Sequence, residues 1–259
     1  MAVVIGTNPA ALLAAHHLNV SRNSLDQAMT RLASGKRINS AADDAGSIGV
    51  AASLLANIKG ADMAKQNANA AIAAVQVADG ALVEVENMLQ RVRELAVQKA
   101  STGTYSSTDI TNMQSEITQL MSEIGAIATN TKFNGTAVSS MSLNPAIRQD
   151  GGTATMALPS FIAGDALTSG SNATNVDTVI NSVAASRGSL GAFLNRLQST
   201  VNNLSGISAN TAAAYSRVMD TDYAAETAAV AKGQVLQQAG AAVLAQANAS
   251  QQYVLTLLQ

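Results

Sequence analysis

Apolar residues return along the first half of the chain at alternating steps of three and four. Val75, Leu82, Leu89 and Ala96 recur every seven residues, and Ala78, Val85 and Val92 sit three residues after the first three. That spacing holds one stripe on one face of a helix and predicts an α-helix over residues 68–99, about 48 Å long at ~1.5 Å per residue. After the break STGTYSST, Ile110, Ile117 and Ile124 alternate with Met113, Leu120 and Ile127, and Ser107 or Thr108 is the expected N-cap. In the second half Val183, Leu190, Leu197 and Leu204 step by seven, with Leu194 and Val201 four residues after Leu190 and Leu197. Three such stripes can close one antiparallel bundle, each large side chain contributing ~1.5–3 kcal/mol when fully buried.

The two ends are patterned more thinly. Leu18, Leu25 and Leu32 hold heptad spacing with Met29 between them, and residues 224–258 place Val235, Leu236, Val243, Leu244 and Val254 in an Ala/Gln background. Neither end carries enough large apolar residues for a core of its own. Each is expected to pack against the other or against neighbouring copies, and to order on assembly. Prolines stand only at 9, 145 and 159, so two long stretches are free to be helical. Between them, from about 130 to 175, runs a segment rich in Gly, Ser, Thr and Asn. Its strand signal is TATMAL, Thr153 to Leu158, after the turn dipeptide Gly151-Gly152, which predicts a short hairpin. GDALTSGSNATNVD reads as a solvated connection. The fold class is therefore mainly α, a long antiparallel helical bundle or coiled coil with a small β-hairpin region in mid-chain.

Composition narrows the function. Hydrophobic residues make up 47% of the 259 but aromatics only 3% and charged residues 12%, so alanine and aliphatics dominate and closely packed helices are favoured. A net charge of -2 with no long Lys/Arg run gives no footprint for nucleic acid or an anionic membrane. No segment reads as the ~20 largely apolar residues of a membrane-crossing helix, and the first residues lack the basic region of a cleaved secretory signal. Without cysteine there is no disulfide, thiolate metal site or cysteine nucleophile.

Candidate chemistry is sparse. His16 and His17 are the only histidines, and as neighbours on a helix they point about 100° apart, too far to share a metal. Asp43-Asp44 reads as a turn or helix-start cluster accepting free backbone N–H groups. LQRVRELAVQ, residues 89–98, sets Arg91 and Leu95 at i, i+4 on a salt-bridged helix face. The sequons Asn134-Gly-Thr and Asn172-Ala-Thr are too common by chance to carry weight. No catalytic or cofactor constellation can be assembled, so an enzyme is not expected.

Three segments carry a resemblance. LNVSRNSLDQAMTRLASGKRINSAADDAGSIGVA, residues 18–51, resembles the N-terminal signature of bacterial flagellins. SRGSLGAFLNRLQSTVNNL, residues 186–204, and SRVMDTDYAAETAAVAKGQVLQQAGAAVLAQANASQQYVLTLL, residues 216–258, resemble the C-terminal one. Nearly all of residues 1–135 and 176–259 is covered, in the right order.

The resemblance implies an extracellular filament subunit for swimming motility, a helical homopolymer with no cofactor, in which residues 1–44 with 219–259 form a terminal filament-core domain. Residues 45–218 then form a helical rod including the segment at 130–175, which is too short for the outer domains of larger relatives. It further implies unfolded export through the flagellar type III apparatus without a cleaved signal, an export chaperone on the C-terminal region, and contacts with flagellar cap and hook-junction proteins. LQRVRELAVQ and SEITQ are similar to the segments recognised by toll-like receptor 5, which makes Arg91, Leu95 and Glu116 recognition candidates. Leu18, Leu25, Leu32, Val235, Leu236, Val243 and Leu244 are the assembly-interface candidates. The nearest alternative is a hook-filament junction protein, which shares the end architecture; an adhesin or binding module built on the middle segment is a further one. The chain ends LLQ where many relatives end LLR, which touches the terminal contact and not the family.

Overall fold

A computed structural model describes residues 7–101, 103–140, 142–157 and 173–256. It contains the helices α1 (Pro9–Ser34), α2 (Ala45–Ala100), α3 (Ser107–Asn130), α4 (Ala173–Met219) and α5 (Tyr223–Thr256). Between α3 and α4 lie β1 (Lys132–Phe133), β2 (Thr136–Ala137), a 3-10 turn (Val138–Ser140), β3 (Ser142–Leu143) and β4 (Met156–Ala157). The fold is mainly α. The chain divides into two compact units, residues 1–55 with 212–259, and residues 56–211.

The second unit is organised by the α2 stripe. Ala61, Ala64, Ala68, Ala71, Val75, Ala78, Leu82, Val85, Leu89, Val92 and Ala96 alternate by three and four, and all are buried. The helix therefore starts well before residue 68: the stripe continues upstream in alanine, which carries little hydrophobic contrast but is the strongest helix former. Ile117 and Ile124 of α3 and Val183, Leu190, Phe193 and Leu197 of α4 complete one core with it. Polar side chains give the antiparallel order: Arg91 reaches Glu116 of α3, Lys99 reaches Gln114, and Arg187 of α4 reaches Asp79 and Glu86 of α2. Ser208 donates to Asp62 further along the same pair.

Local signals differ from the sequence expectation in four places. The N-cap of α3 is Ser106, not Ser107 or Thr108, because Ser106 and Asp109 form a reciprocal capping box. Two hairpins stand where one was expected. Asn134 (φ 49°) and Gly135 (φ 81°) turn β1 into β2, a two-residue loop of the Asn-Gly kind whose positive φ values match strand twist. The expected strand at Thr153–Leu158 shrinks to Met156–Ala157 paired with β3, plus an isolated bridge from Thr153 to Ala146; Leu158 and most of the connection after it lie outside the described residues. Finally, α2 does contain an 18-residue window apolar and long enough to cross a membrane. Alanine supplies much of that hydropathy, and the stripe of Val75, Leu82, Val85, Leu89 and Val92 is buried inside the protein, while Val50, Met63, Val77 and Val97 on other faces are exposed.

In the first unit, Asn8 caps α1 by accepting from Ala11 N–H at 3.0 Å, Pro9 fills the first turn, and Gly35 (φ 69°) ends the helix in the left-handed conformation. The chain then zips onto the α4–α5 junction: Arg37 N–H donates to Met219 O at 2.7 Å and Thr221 N–H to Gly35 O at 3.1 Å. Asp43 and Asp44 serve as helix-start and turn acceptors. Asp43 accepts from the backbone N–H of Asn39 and Ser40 and from Gln27, which together hold its carboxyl at about 2. Asp44, just before α2, accepts from the N–H groups of Gly46 and Ser47.

The hairpin of β3 and β4 docks on α2 at two positions seven residues apart. Asn67 Nδ2 donates to Ala146 O at 3.1 Å, and at Gly60 an added Cβ would stand 2.5 Å from Gln149 O. Alanine normally stabilises a helix interior over glycine by ~1 kcal/mol, but here the neighbour is rigid backbone. Gly60→Ala should therefore lower the calorimetric unfolding midpoint of the purified chain, while Gly188→Ala, with nothing within 4 Å of the new carbon, should raise it. A Gly60→Ala chain as stable as the parent would mean that the hairpin does not sit there.

Candidate interaction surfaces

Helices α1 and α5 pair antiparallel, and the pairing is built around missing side chains. Leu18 lies over Gly240 and Leu25 over Gly233; a Cβ on those glycines would come within 3.2 Å and 3.1 Å of the leucine Cδ1 atoms. Two leucines and two glycines, each pair seven apart, thus mesh as knobs in backbone notches. At one end Asn8 Nδ2 donates to Ala247 O at 3.0 Å. At the other, Arg31 in the last turn of α1 meets Glu226 in the first turn of α5 at 3.3 Å, each charge also favoured by its own helix dipole.

What the pair does not cover is unusual for a helix surface. Val235, Leu236 and Val243 are 64%, 47% and 57% exposed, and Leu12, Leu13, Val20 and Met29 of α1 are exposed as well. Of the expected interface residues, Leu18, Leu25, Leu32 and Leu244 are half-buried, while Val235, Leu236 and Val243 face solvent. Leu12, Leu13 and Val20 carry no periodic sequence signal because they lie off the heptad positions. A groove of about 640 Å³ runs between the helices, lined by Leu18, Leu25, Leu236 and Val243 among others. Ser21 also lines it, and its Oγ is buried without a hydrogen-bond partner among the described residues. Exposed aliphatic surface of this extent on a helix pair marks an interaction face.

A second surface lies on the helical bundle. Arg91 Nε donates to Glu116 Oε1 at 2.9 Å and Nη1 to Glu94 Oε2 at 3.1 Å, and these bonds raise the arginine above its ordinary range. Arg91 and Glu116 are about half exposed and meet across α2 and α3. Leu95 does not join them. It is 2% exposed, because the i+4 step from Arg91 brings it onto the core-facing flank, so a partner could touch it only by unpacking the bundle. His16 and His17 are exposed side by side on α1, and the described residues contain no group of acids and histidines able to hold a metal.

Comparison with known proteins places this geometry. The bacterial flagellin N-terminal helical region matches residues 5–140, and the bacterial flagellin C-terminal helical region matches residues 173–258. A flagellin of Bacillus subtilis (strain 168) is 36% identical, over 98% of this chain and 99% of the relative. A flagellin of Xenorhabdus nematophila is 39% identical over the whole of both chains, and a flagellar filament 31.3 kDa core protein of Treponema maltophilum is 34% identical over 99% of this chain.

The notches at Gly233 and Gly240 give the pairing a direct test. Gly233→Val with Gly240→Val should push α1 and α5 apart, so amide hydrogen exchange should lose protection in residues 9–34 and 223–256 and keep it in 75–100. Unchanged protection in both helices would show that the notches do not hold them together.

Proposed function

Because the chain belongs to the bacterial flagellin family, the self-assembling structural subunits of the extracellular flagellar filament, we propose that residues 1–44 with 219–259 are its polymerising part and residues 45–218 its rod. The observation that carries this reading is the aliphatic surface left open on α1 and α5. Val235, Leu236 and Val243 stand exposed on one helix, and Leu12, Leu13 and Val20 on the other. Burying them against other copies returns ~25 cal/mol for each Å² of apolar surface, which offsets the cost of ordering the ends. A repeated contact between unlike patches does not close, so it grows a filament.

The finer parts of the reading follow from the family. Export unfolded through the flagellar type III apparatus suits a chain without cysteine, and an export chaperone would cover the C-terminal helix until assembly. Flagellar cap and hook-junction proteins are the neighbours at the two ends of the filament. Arg91 and Glu116 remain the recognition candidates for toll-like receptor 5, exposed and held in place by their ion pair; Leu95 supports that surface from beneath.

Deleting residues 225–259 should leave residues 56–211 helical by circular dichroism while abolishing growth on short flagellar filament seeds, followed by electron microscopy. Elongation by the truncated chain would refute the role given to α5. Arg91→Ala in the unpolymerised protein should cut toll-like receptor 5 signalling in a reporter cell by roughly tenfold or more, the scale of a lost charged contact; an undiminished response removes the receptor from the proposal.

A further inference from the structure

The second unit holds five arginines, and they fall into two groups. Arg91 is matched by Glu94 and Glu116, Arg93 by Asp177, and Arg187 by Asp79 and Glu86. Arg148, on the turn of the β3–β4 hairpin, and Arg196, on α4, have no carboxylate within ion-pair distance among the described residues. These two line one groove of about 580 Å³ together with Thr153, Thr200 and Asn203. Its apolar wall includes Ile147 and Leu204, both buried.

The groove is built rather than accidental on one side at least. The stem of Arg148 lies over Gly152, where a Cβ would overlap its Cδ, and the turn is closed by Gly151 N–H on Arg148 O and Ile147 N–H on Gly152 O, both at 3.0 Å. Asp150 lines the same groove, but its Oδ1 accepts from Gly152 N–H at 3.0 Å and is not paired with either guanidinium. Two unpaired guanidinium groups and one carboxylate thus share the groove, which keeps a net positive charge.

The same unit leaves two negative charges uncompensated elsewhere. Glu84 of α2 and Glu123 of α3 are exposed, and neither has an ion pair among the described residues. Arg91 meets Glu116 across these antiparallel helices. One heptad back along α2 and one heptad forward along α3 arrives at Glu84 and Glu123 on the corresponding faces. Where one register position carries an ion pair, the next carries two carboxylates and no cation.

We propose that the Arg148/Arg196 groove of one copy receives the Glu84/Glu123 pair of the next. The proposal rests on the filament reading and deepens it, since it names the contact that sets how neighbouring second units register. The two patches are unlike and lie on the same chain, so the contact is head-to-tail and propagates. Exposed charge pairs add little affinity but steer encounter and fix register; adhesion comes from the aliphatic surface of α1 and α5.

The test is charge reversal in seeded elongation at low salt. An Arg148→Glu/Arg196→Glu chain should elongate wild-type seeds roughly tenfold slower, as should a Glu84→Arg/Glu123→Arg chain, because each puts like charges face to face. A chain carrying all four changes should regain most of the parent's rate on seeds of its own kind. All four positions are exposed, and circular dichroism checks that each variant folds. A double variant that elongates at the parent's rate overturns the proposal, as does a fourfold variant no faster than the doubles. Glucuronate binding that needs both arginines, alongside undisturbed elongation, overturns it in favour of an acidic sugar. Failure of the parent chain to elongate seeds brings down the filament reading as well, whereas failure of the variants' pattern alone leaves that reading standing.

Discussion

The α2 seam is the constraint on which the second unit depends. Eleven positions from Ala61 to Ala96 are buried without a polar interruption, and what sits against each depends on side-chain size. Between Val75 and Val92 the seam is mostly large, so α3 and α4 stand off and fill the space with Ile117, Ile124, Leu190 and Leu197. Between Ala61 and Ala71 it is small, and there Leu204 packs beside the alanines and the hairpin backbone crosses Gly60. One helix thus offers two kinds of surface, one to side chains and one to backbone, and the irregular middle of the chain is placed by the second kind.

In the first unit the α1–α5 pair uses the small-residue solution, while Ile38, Ala51 and Met219 form a small side-chain core beside it. Notches at Gly233 and Gly240 admit Leu25 and Leu18, and the helices come close without consuming their other aliphatics. The consequence is an inverted economy of burial: α5 sets aliphatics such as Val235, Leu236 and Val243 among alanines and glutamines, yet it buries only Gly233 among its described residues. Aliphatic surface left open on a helix gains free energy when something covers it. For a filament subunit, the surroundings are other copies, and a closely packed pair with wide exposed flanks offers more than one face to them.

Much of this was legible in the sequence, for a physical reason. Heptad spacing of large aliphatics is insensitive to context, so Val75, Leu82, Leu89, Leu190 and Leu197 announced their burial directly. The alanine continuation upstream of residue 68 carries the same period without contrast, so the large residues alone place the helix start too late. Asn134-Gly135 is a hairpin signal that the overlapping sequon hides. Leu95 shares a face with exposed Arg91 by i, i+4 spacing, but such neighbours stand about 40° apart, and that angle is enough to cross from rim to core. The unpaired state of Arg148 and Arg196 had no sequence signal at all, since it depends on which acids the fold brings near.

A heptad seam leaves one ambiguity that its period alone does not resolve: slipping two helices by seven residues restores the same alternation of apolar and polar faces. The sparse charges act on this ambiguity unequally. Arg187 bridges Asp79 and Glu86, themselves seven apart, so a one-heptad slip would still leave it an acid. Arg93 with Asp177 and Asp62 with Ser208 have no such spare partner, but both are exposed or partly exposed and individually weak. The hairpin is stricter. Gln149 O rests where only a glycine fits, and the residues seven to either side of Gly60 are Ser53 and Asn67, each carrying the Cβ that the contact excludes. Steric exclusion at one glycine therefore discriminates between registers that share the same heptad period, and it does so independently of salt.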